Sequence, residues 1–458
     1  MDLEDANTPQ TSARAERAVG RRGEAPRGPA SEEAPTAIQG DERSGSGDLM
    51  EMVTQITNLQ AACKRVEANA GSPGIDGMRT TELRAWLREN WKDLVRALLD
   101  ETYRPQPVRK HEIPKADGGI RVLGIPTVLD RFIQQALLQV LQPILDPGFS
   151  DHSYGFRPGR SAHDAIERAR GYIQEGRRVV VDVDLEKFFD RVNHDVLMGR
   201  VARKIDDKRI LRLIRAYLSA GMMADGVVIE REEGTPQGGP LSPLLANVLL
   251  DEVDKELERT GHAFVRYADD CNVYVQSKRA GERVMERLKK LYGKLRLRIN
   301  EDKSAVASAF MRDFLGFAFW PGAKGEVRVR VSKKALRKLK DRVRKLTHRN
   351  GGKSLAQVAE GLSKYLNGWH GYFRRAQTPR TMADLDGWIR HRLRVIQLHQ
   401  WKRGKTAYAA VRAFGADHDT AVGIAFHLHR WWHTAGRLTH IALTNRFFDE
   451  LGIPRLAT

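Results

Sequence analysis

Cysteine is almost missing from this chain: Cys63 and Cys271 are the only two in 458 residues. Two thiols exclude a disulfide framework and a cysteine-rich zinc site, and they suit a reducing compartment. Aromatic residues make up only 7% of the chain, and no apolar stretch approaches the length needed to cross a bilayer. The N-terminus also lacks the hydrophobic core of a secretion signal. Acidic residues are scarce in one region above all, because residues 321–458 hold 9 Asp+Glu against 28 Lys+Arg. That excess equals the net charge of the whole chain, +19, and a pI near 10 makes nucleic acid the obvious partner. No membrane partner is expected, and a cytoplasmic, nucleoid-associated location follows.

The length allows two or three domains with real cores. Residues 1–50 are rich in Ala, Gly, Pro, Ser, Glu and Arg and nearly devoid of aromatics, which predicts a disordered extension over 1–52. Helices are expected from 53 to 110, with Trp86, Leu87, Trp91, Leu94 and Leu98 forming a packing stripe.

Two adjacent carboxylates, Asp269 and Asp270, interrupt a β-rich segment over 264–275, which places them at a hairpin tip. Ionised neighbours repel one another, and a pair of divalent cations is the commonest reason in nucleotide chemistry to hold them together. A third acid is available upstream, where the β-branched run Arg178-Val179-Val180-Val181-Asp182-Val183-Asp184 reads as a buried strand delivering an acid to a sheet edge. Asp182 and Asp184 are two apart and share a face, so spacing alone leaves the choice between them open. Between the acidic segments runs Gly234-Thr235-Pro236-Gln237-Gly238-Gly239-Pro240-Leu241-Ser242-Pro243. Its glycines would let backbone approach a ligand closely, and Ser242 with Pro243 predicts a helix capped at Ser242. Gln237 would then reach the sugar or base of a nucleotide.

In this order, Asp184 with Phe189 five residues on, then Pro236-Gln237-Gly238-Gly239, then Tyr267-Ala268-Asp269-Asp270 resembles the palm of reverse transcriptases. More narrowly, the chain is similar to bacterial group II intron reverse transcriptase/maturase proteins. That match is carried by Gly71-Ser72-Pro73-Gly74-Ile75-Asp76-Gly77, Ile113-Pro114-Lys115, Arg121-Val122-Leu123-Gly124-Ile125-Pro126-Thr127, Tyr154-Gly155-Phe156-Arg157-Pro158-Gly159-Arg160 and Leu366-Asn367-Gly368-Trp369-His370-Gly371-Tyr372-Phe373. It spans roughly residues 53 to 440.

The resemblance implies an α+β right-hand polymerase. Fingers and palm with an antiparallel sheet would occupy 53–320, a helical thumb 321–365, and a basic α-helical maturase or nucleic-acid-binding domain 366–458. It selects Asp184 over Asp182, since the aromatic follows the catalytic acid by five residues, and makes Asp184, Asp269 and Asp270 the acids that bind two Mg²⁺ ions, with Mn²⁺ as an alternative. Leu185 would lend its carbonyl to a metal. Phe189 would lie under the deoxyribose as a steric gate. Lys115 and Arg121 would hold the triphosphate, and Lys303 would help protonate the leaving pyrophosphate. Phe314, Leu315 and Gly316 would grip the primer end. The implied activity is RNA-directed DNA polymerisation. The implied partners are group II intron RNA, an RNA template, a DNA primer and deoxynucleoside triphosphates, and a homodimer is left open.

Charge in the last third has an independent pattern. Over 332–349, Leu336, Leu339, Val343 and Leu346 follow helical spacing, while Lys333, Lys334, Arg337, Lys338, Lys340, Arg342, Arg344 and Lys345 fill the other faces. One face would pack and the rest meet phosphate. Farther on, Trp369, Trp388, Trp401, Trp431 and Trp432 alternate with Arg374-Arg375 and Lys402-Arg403, a mixture suited to RNA, although most of these tryptophans are expected in the core.

Many relatives carry a C-terminal HNH endonuclease with paired cysteines. None is expected here, so a primer would come from elsewhere, for instance a nascent strand at a replication fork. Gly351-Gly352-Lys353-Ser354 is no phosphate-binding loop, since Thr347 stands where that motif needs glycine. Two other readings share parts of this pattern. One is a reverse transcriptase of the same lineage serving DNA repair or phage defence. The other is an RNA-binding splicing cofactor without polymerase activity, against which the clustered acids argue.

Overall fold

The structure, a computed structural model, describes residues 48–114, 119–224, 227–229, 233–235, 238–437 and 439–457. Two compact units divide between Ala309 and Phe310. The expected primer-grip residues fall in the second unit.

The first unit opens with helices α1 (Leu49–Thr54), α2 (Ile56–Asn69) and α3 (Leu83–Leu99). Disorder through residue 52 is not what is found: residues 49–52 are helical, because Met50 is buried and its N–H donates to Asp207 Oδ2 at 3.1 Å. On α3, Leu94 and Leu98 are buried and Trp86 and Leu87 half-buried, as the stripe predicts. Trp91 departs from it. It sits at the rim of the stripe, 39% exposed, with Lys92 Nζ 6.0 Å from its ring.

Strands β1 (Val108–Pro114) and β2 (Ile120–Ile125) form an antiparallel hairpin. They join β4 (Met222–Ala224) and β5 (Val227–Ile229) in a sheet of order β2-β1-β4-β5. Helices α4 (Val128–Leu145), α5 (Ala162–Gln174), α6 (His194–Val201) and α7 (Lys208–Ser219) lie between these strands in the chain.

A second sheet of order β6-β7-β3-β8 is built from β3 (Val179–Val183), β6 (Ala263–Tyr267), β7 (Asp270–Val275) and β8 (Ala305–Ser308). All three pairings are antiparallel. The β-branched residues Val180, Val181 and Val183 are buried, and β6 is buried throughout, which fits an interior sheet with helices on it. Strand β3 is interior, so Asp184 lies just past its end rather than on a lateral edge. Helix α8 (Ser242–Arg259) precedes β6, and α9 (Lys278–Lys294) crosses the sheet. A Cβ at Gly281 would stand 2.5 Å from Val306 Cγ1, so only glycine allows that close crossing. The expected cap at Ser242 is displaced by one residue. Leu241 occupies the cap position without a side-chain bond, Ser242 is the first helical residue, and Pro243 follows within the first turn.

The second unit begins with a sheet of order β11-β10-β9, from β9 (Asp313–Phe314), β10 (Phe317–Pro321) and β11 (Val327–Val331). Helices α10 (Lys333–Leu346), α11 (Leu355–Phe373), α12 (Pro379–Trp401), α13 (Gly404–Ala413), α14 (His418–Phe426), α15 (Trp431–Arg437), α16 (Thr439–Ala442) and α17 (Asn445–Glu450) follow. On α10, Leu339 and Val343 are buried and Leu336 and Leu346 half-buried, while Lys333, Lys334, Arg337, Lys340 and Arg344 are exposed.

Candidate active site

The register of the palm sheet brings the three acids to one end. Val183 pairs with Cys271, so continuing the antiparallel ladder by one residue sets Asp184 opposite Asp270, which itself pairs with Tyr267. On the other flank Asp182 pairs with Ala305 and Leu185 with Ile299, so the turn over residues 300–304 stands beside Asp184. Residues directly opposite share a face and lie about 4.5–5.5 Å apart at Cα. Asp184, Asp269 and Asp270 are each half-exposed.

Backbone bonds fix Asp184 where β3 ends. Its N–H donates to Ser304 Oγ at 3.0 Å, and its carbonyl accepts from Asn300 N–H at 2.8 Å. Glu186 N–H donates to the Arg298 carbonyl at 2.9 Å, so Leu185 faces Ile299 as the non-bonded pair between two bonded residues. The Leu185 carbonyl is thereby left out of this pairing. Its side chain is buried. Lys303, exposed, sits in the turn between Asn300 and Ser304 that holds Asp184. Asp182 is engaged within the sheet, where the Asn272 amide, oriented by its surroundings, donates to Asp182 Oδ1 at 2.9 Å.

Asp269 and Asp270 follow a left-handed residue. Tyr267 pairs with Asp270, leaving Ala268 and Asp269 as a two-residue loop, and Ala268 has φ +57°. The turn is held from beneath by a buried network that the sequence reading missed. Arg266, fully buried, donates through Nε to Asp254 Oδ1 and Oδ2 at 2.9 Å and through Nη2 to Oδ2 at 2.5 Å. Its Nη1 donates to the Ala268 carbonyl and to Asn247 Oδ1, both at 2.9 Å. Asn247 Nδ2 in turn donates to the Gly155 carbonyl at 3.0 Å. A Cβ on Gly155 would stand 2.2 Å from Ala268 N, so the Tyr154-Gly155-Phe156-Arg157 segment lies directly against the hairpin. It also continues the sheet, with Tyr154 N–H donating to the Arg266 carbonyl and Arg266 N–H to the His152 carbonyl, both at 2.9 Å. Burial raises the Asp254 carboxyl, and the Arg266 charge opposes that rise without cancelling it. The visible signal was a charged residue inside the otherwise apolar run 263–267. Beside the acids, burial pushes the Cys271 thiol up to about 12, so it packs and does not react.

Phe189 is half-buried with its ring 5.0 Å from that of Phe188. Its carbonyl accepts from Thr235 N–H at 2.7 Å, and Gly234 N–H donates to the Val192 carbonyl at 2.8 Å. The segment entering the glycine-rich loop is therefore stapled to Phe189. Gln237 and Lys115 lie outside the described residues. Arg121 is half-exposed on β2, opposite Ile113. The loop glycines serve protein contacts rather than an open approach: a Cβ on Gly238 would be 2.7 Å from the Gly124 carbonyl, and one on Gly239 would be 2.4 Å from Gln134 Oε1.

In the second unit, Phe314 pairs with Phe317, and Leu315 and Gly316 form the turn between them with φ +50° and +82°. Two left-handed positions in a two-residue loop are the geometry of a tight hairpin. Phe314 is buried, and Ser332 N–H donates to the Gly316 carbonyl at 2.9 Å. Arg374, Arg375, Lys402 and Arg403 are exposed. Trp369 and Trp401 are buried, whereas Trp388 has the guanidinium groups of Arg344 and Arg392 at 5.8 and 5.5 Å from its ring. Trp432 is 53% exposed.

The donor set fits hard divalent cations: carboxylates and a backbone carbonyl at one end of a sheet are oxygen ligands. Among the described residues no three His, Cys, Asp or Glu side chains converge into a ready cage. A Mg²⁺ site does not need one, because that ion is commonly held by one or two carboxylates together with substrate phosphates. No helix among the described residues is long and apolar enough to cross a membrane.

Residues 113–319 match the family described as reverse transcriptase (RNA-dependent DNA polymerase), and residues 336–414 match the group II intron, maturase-specific domain. Protein YkfC of Escherichia coli (strain K12) is 34% identical over 299 residues, covering 56% of this chain and 78% of YkfC. Group II intron-encoded protein LtrA of Lactococcus lactis subsp. cremoris is 38% identical over 214 residues, covering 46% of this chain and 36% of LtrA. The match thus spans most of the one relative and about a third of the other. A chain of a partial Cas6-RT-Cas1--Cas2 complex is 27% identical with a TM-score of 0.35, covering 54% of this chain and 42% of that one, a likeness too low to bear on the reading.

Proposed function

Because the chain belongs to the family of group II intron-encoded reverse transcriptase/maturase proteins, we propose that it copies an RNA template into DNA and also holds an intron RNA for splicing. The observation that carries the first part is the register that sets Asp184 beside Asp270 at the end of the palm sheet. In the reaction, a primer 3′-hydroxyl oxygen bonds to the α-phosphorus of a deoxynucleoside triphosphate. The bond to pyrophosphate breaks, and the hydroxyl proton is lost. Two Mg²⁺ ions, held by Asp184, Asp269, Asp270 and the Leu185 carbonyl, would supply charge neutralisation and activation of the hydroxyl.

The protein's own groups do the rest. Lys303, exposed in the turn between Asn300 and Ser304 that bonds to Asp184, is suited to give a proton to the departing pyrophosphate. Arg121 on β2 supplies fixed positive charge for the triphosphate, and the family resemblance gives Lys115 the same task. Phe189, fastened through its carbonyl to Thr235, offers a ring against which a 2′-hydroxyl would clash. In the second unit, exposed Lys333, Lys334, Arg337 and Lys340 on α10 present charge for a template–primer backbone. Arg374, Arg375, Lys402 and Arg403 extend exposed charge along the helices for RNA.

Primer extension on an RNA template with Mg²⁺ tests the polymerase reading, and the absence of any product from wild-type protein would refute it. For the RNA-holding role, the double variant Asp269→Asn/Asp270→Asn should lose DNA synthesis yet still support intron splicing. Loss of both together would contradict this division of labour.

A further inference from the structure

The Arg266 guanidinium is fully buried three residues before the first hairpin acid, and it makes more bonds than packing requires. We propose that Arg266 is a positioning residue for the metal-binding acids, using Asp254 as its anchor and the Ala268 peptide as its point of action. This rests on reading Asp184, Asp269 and Asp270 as those acids.

Three observations carry the inference. First, Ala268 holds φ +57° although it is not glycine, a backbone state that needs support from its surroundings. Second, that support reaches the peptide from two directions. Arg266 Nη1 donates to the Ala268 carbonyl at 2.9 Å, while Gly155 is packed so tightly on Ala268 N that a Cβ would come within 2.2 Å. Asn247 links the two sides, accepting from Arg266 at 2.9 Å and donating to the Gly155 carbonyl at 3.0 Å. Third, the charge is balanced locally, because Asp254 is itself 0% exposed and takes both the Nε and Nη2 donors. Positive charge is thereby spent on Asp254 and stays available only as directed N–H groups beneath the turn.

The geometry demands arginine. Its planar fork reaches a carboxylate on one side while Nη1 serves the Asn247 and Ala268 oxygens on the other. Lysine keeps the charge but cannot span both. Arg266→Lys should therefore leave a turn whose Ala268 peptide is released, and Asp269 and Asp270 would sample orientations away from the cations.

The test uses the full chain and two readouts that do not depend on turnover: Mn²⁺ binding followed by electron paramagnetic resonance without nucleotide, and amide hydrogen exchange over residues 264–271 in the metal-free protein. Arg266→Lys is expected to weaken Mn²⁺ binding by roughly 10- to 100-fold, the range seen when groups behind metal ligands are removed, and to speed exchange in the hairpin. Asn247→Ser, which keeps the Arg266–Asp254 pair, should shift both readouts the same way by less, and it carries the test if Arg266→Lys does not fold. Asp184→Asn, which leaves the network intact, should weaken Mn²⁺ binding without changing exchange at the turn. Wild-type Mn²⁺ affinity and wild-type exchange in a folded Arg266→Lys, or in folded Asn247→Ser where that variant carries the test, would overturn the positioning role. Equal Mn²⁺ affinity in wild type and Asp184→Asn would instead overturn the metal reading beneath it.

Discussion

Tyr372 Oη donates to the carbonyl of Leu315 at 2.9 Å, which ties helix α11 to the two-residue turn expected to grip the primer end. The same helix closes the turn from the other side, since a Cβ on Gly316 would meet Phe373 Cζ at 3.2 Å, and Phe317 stacks 5.5 Å from Tyr372 and 5.0 Å from Phe373. The late aromatic motif thus supports the Leu315-Gly316 turn. Tyr372→Phe removes one hydrogen bond, worth about 1 kcal/mol, and keeps the ring. Primer-end dissociation measured in single-turnover extension should rise several-fold with the Mg²⁺ dependence unchanged. An unaltered dissociation rate would remove the turn from primer handling.

Gly155 gives a sharper steric prediction. Its missing Cβ would contact backbone at Ala268 and Tyr267, and backbone cannot swing aside as a flexible side chain can. Gly155→Ala should destabilise the protein by about 1–3 kcal/mol in urea unfolding and displace the hairpin acids. Extension by the folded fraction should fall as well. Unchanged stability and rate would contradict a steric role for this contact.

His152 makes stability depend on pH. Burial and then the Arg168 charge depress its pKa below the ordinary 6.5, and its ring contacts Phe264 and bonds Tyr172. The unfolded chain therefore takes up the proton first as pH falls. The neutral-histidine contribution is fully present above 6.5 and is lost as pH drops from there toward the lower folded value. Urea unfolding from about pH 8 to about pH 5 should show less acid-side loss in His152→Gln than in wild type. Parallel profiles would exclude His152 as a contributor.

The cations of α10 separate into two kinds. Arg337 and Lys340 face solvent, whereas Arg344 is bonded to Asp341 at 2.7 Å and lies over Trp388. Arg337→Gln or Lys340→Gln should lower the salt dependence of template–primer binding by about one ion each. Arg344→Gln should mainly lower the melting temperature of the C-terminal unit. Fluorescence titration across salt concentrations, with a thermal melt alongside, distinguishes the two.

Much of the palm was legible because its signals are local. The β-branched run at Val179–Val183 and the acidic pair inside 264–275 announce strands and a tip by composition alone. The cap at Ser242 was read one residue late, since the helix opens on the backbone of Leu241 rather than on a side-chain oxygen. Arg266 was not legible, because its meaning depends on Asp254 and Asn247 on the preceding helix and on a glycine more than a hundred residues upstream. Trp388 shows the same limit. Nothing in its sequence neighbourhood points to Arg344, whose guanidinium lies 5.8 Å from its ring although Arg344 stands more than forty residues upstream.

The most direct measurement compares Asp182→Asn with Asp184→Asn in primer extension on an RNA template. Asp182 accepts from Asn272 inside the sheet, whereas Asp184 stands one step past the ladder opposite Asp270. Asp184→Asn should reduce extension to background while Asp182→Asn keeps measurable synthesis. Activity surviving in Asp184→Asn and lost in Asp182→Asn would contradict the assignment of the acids.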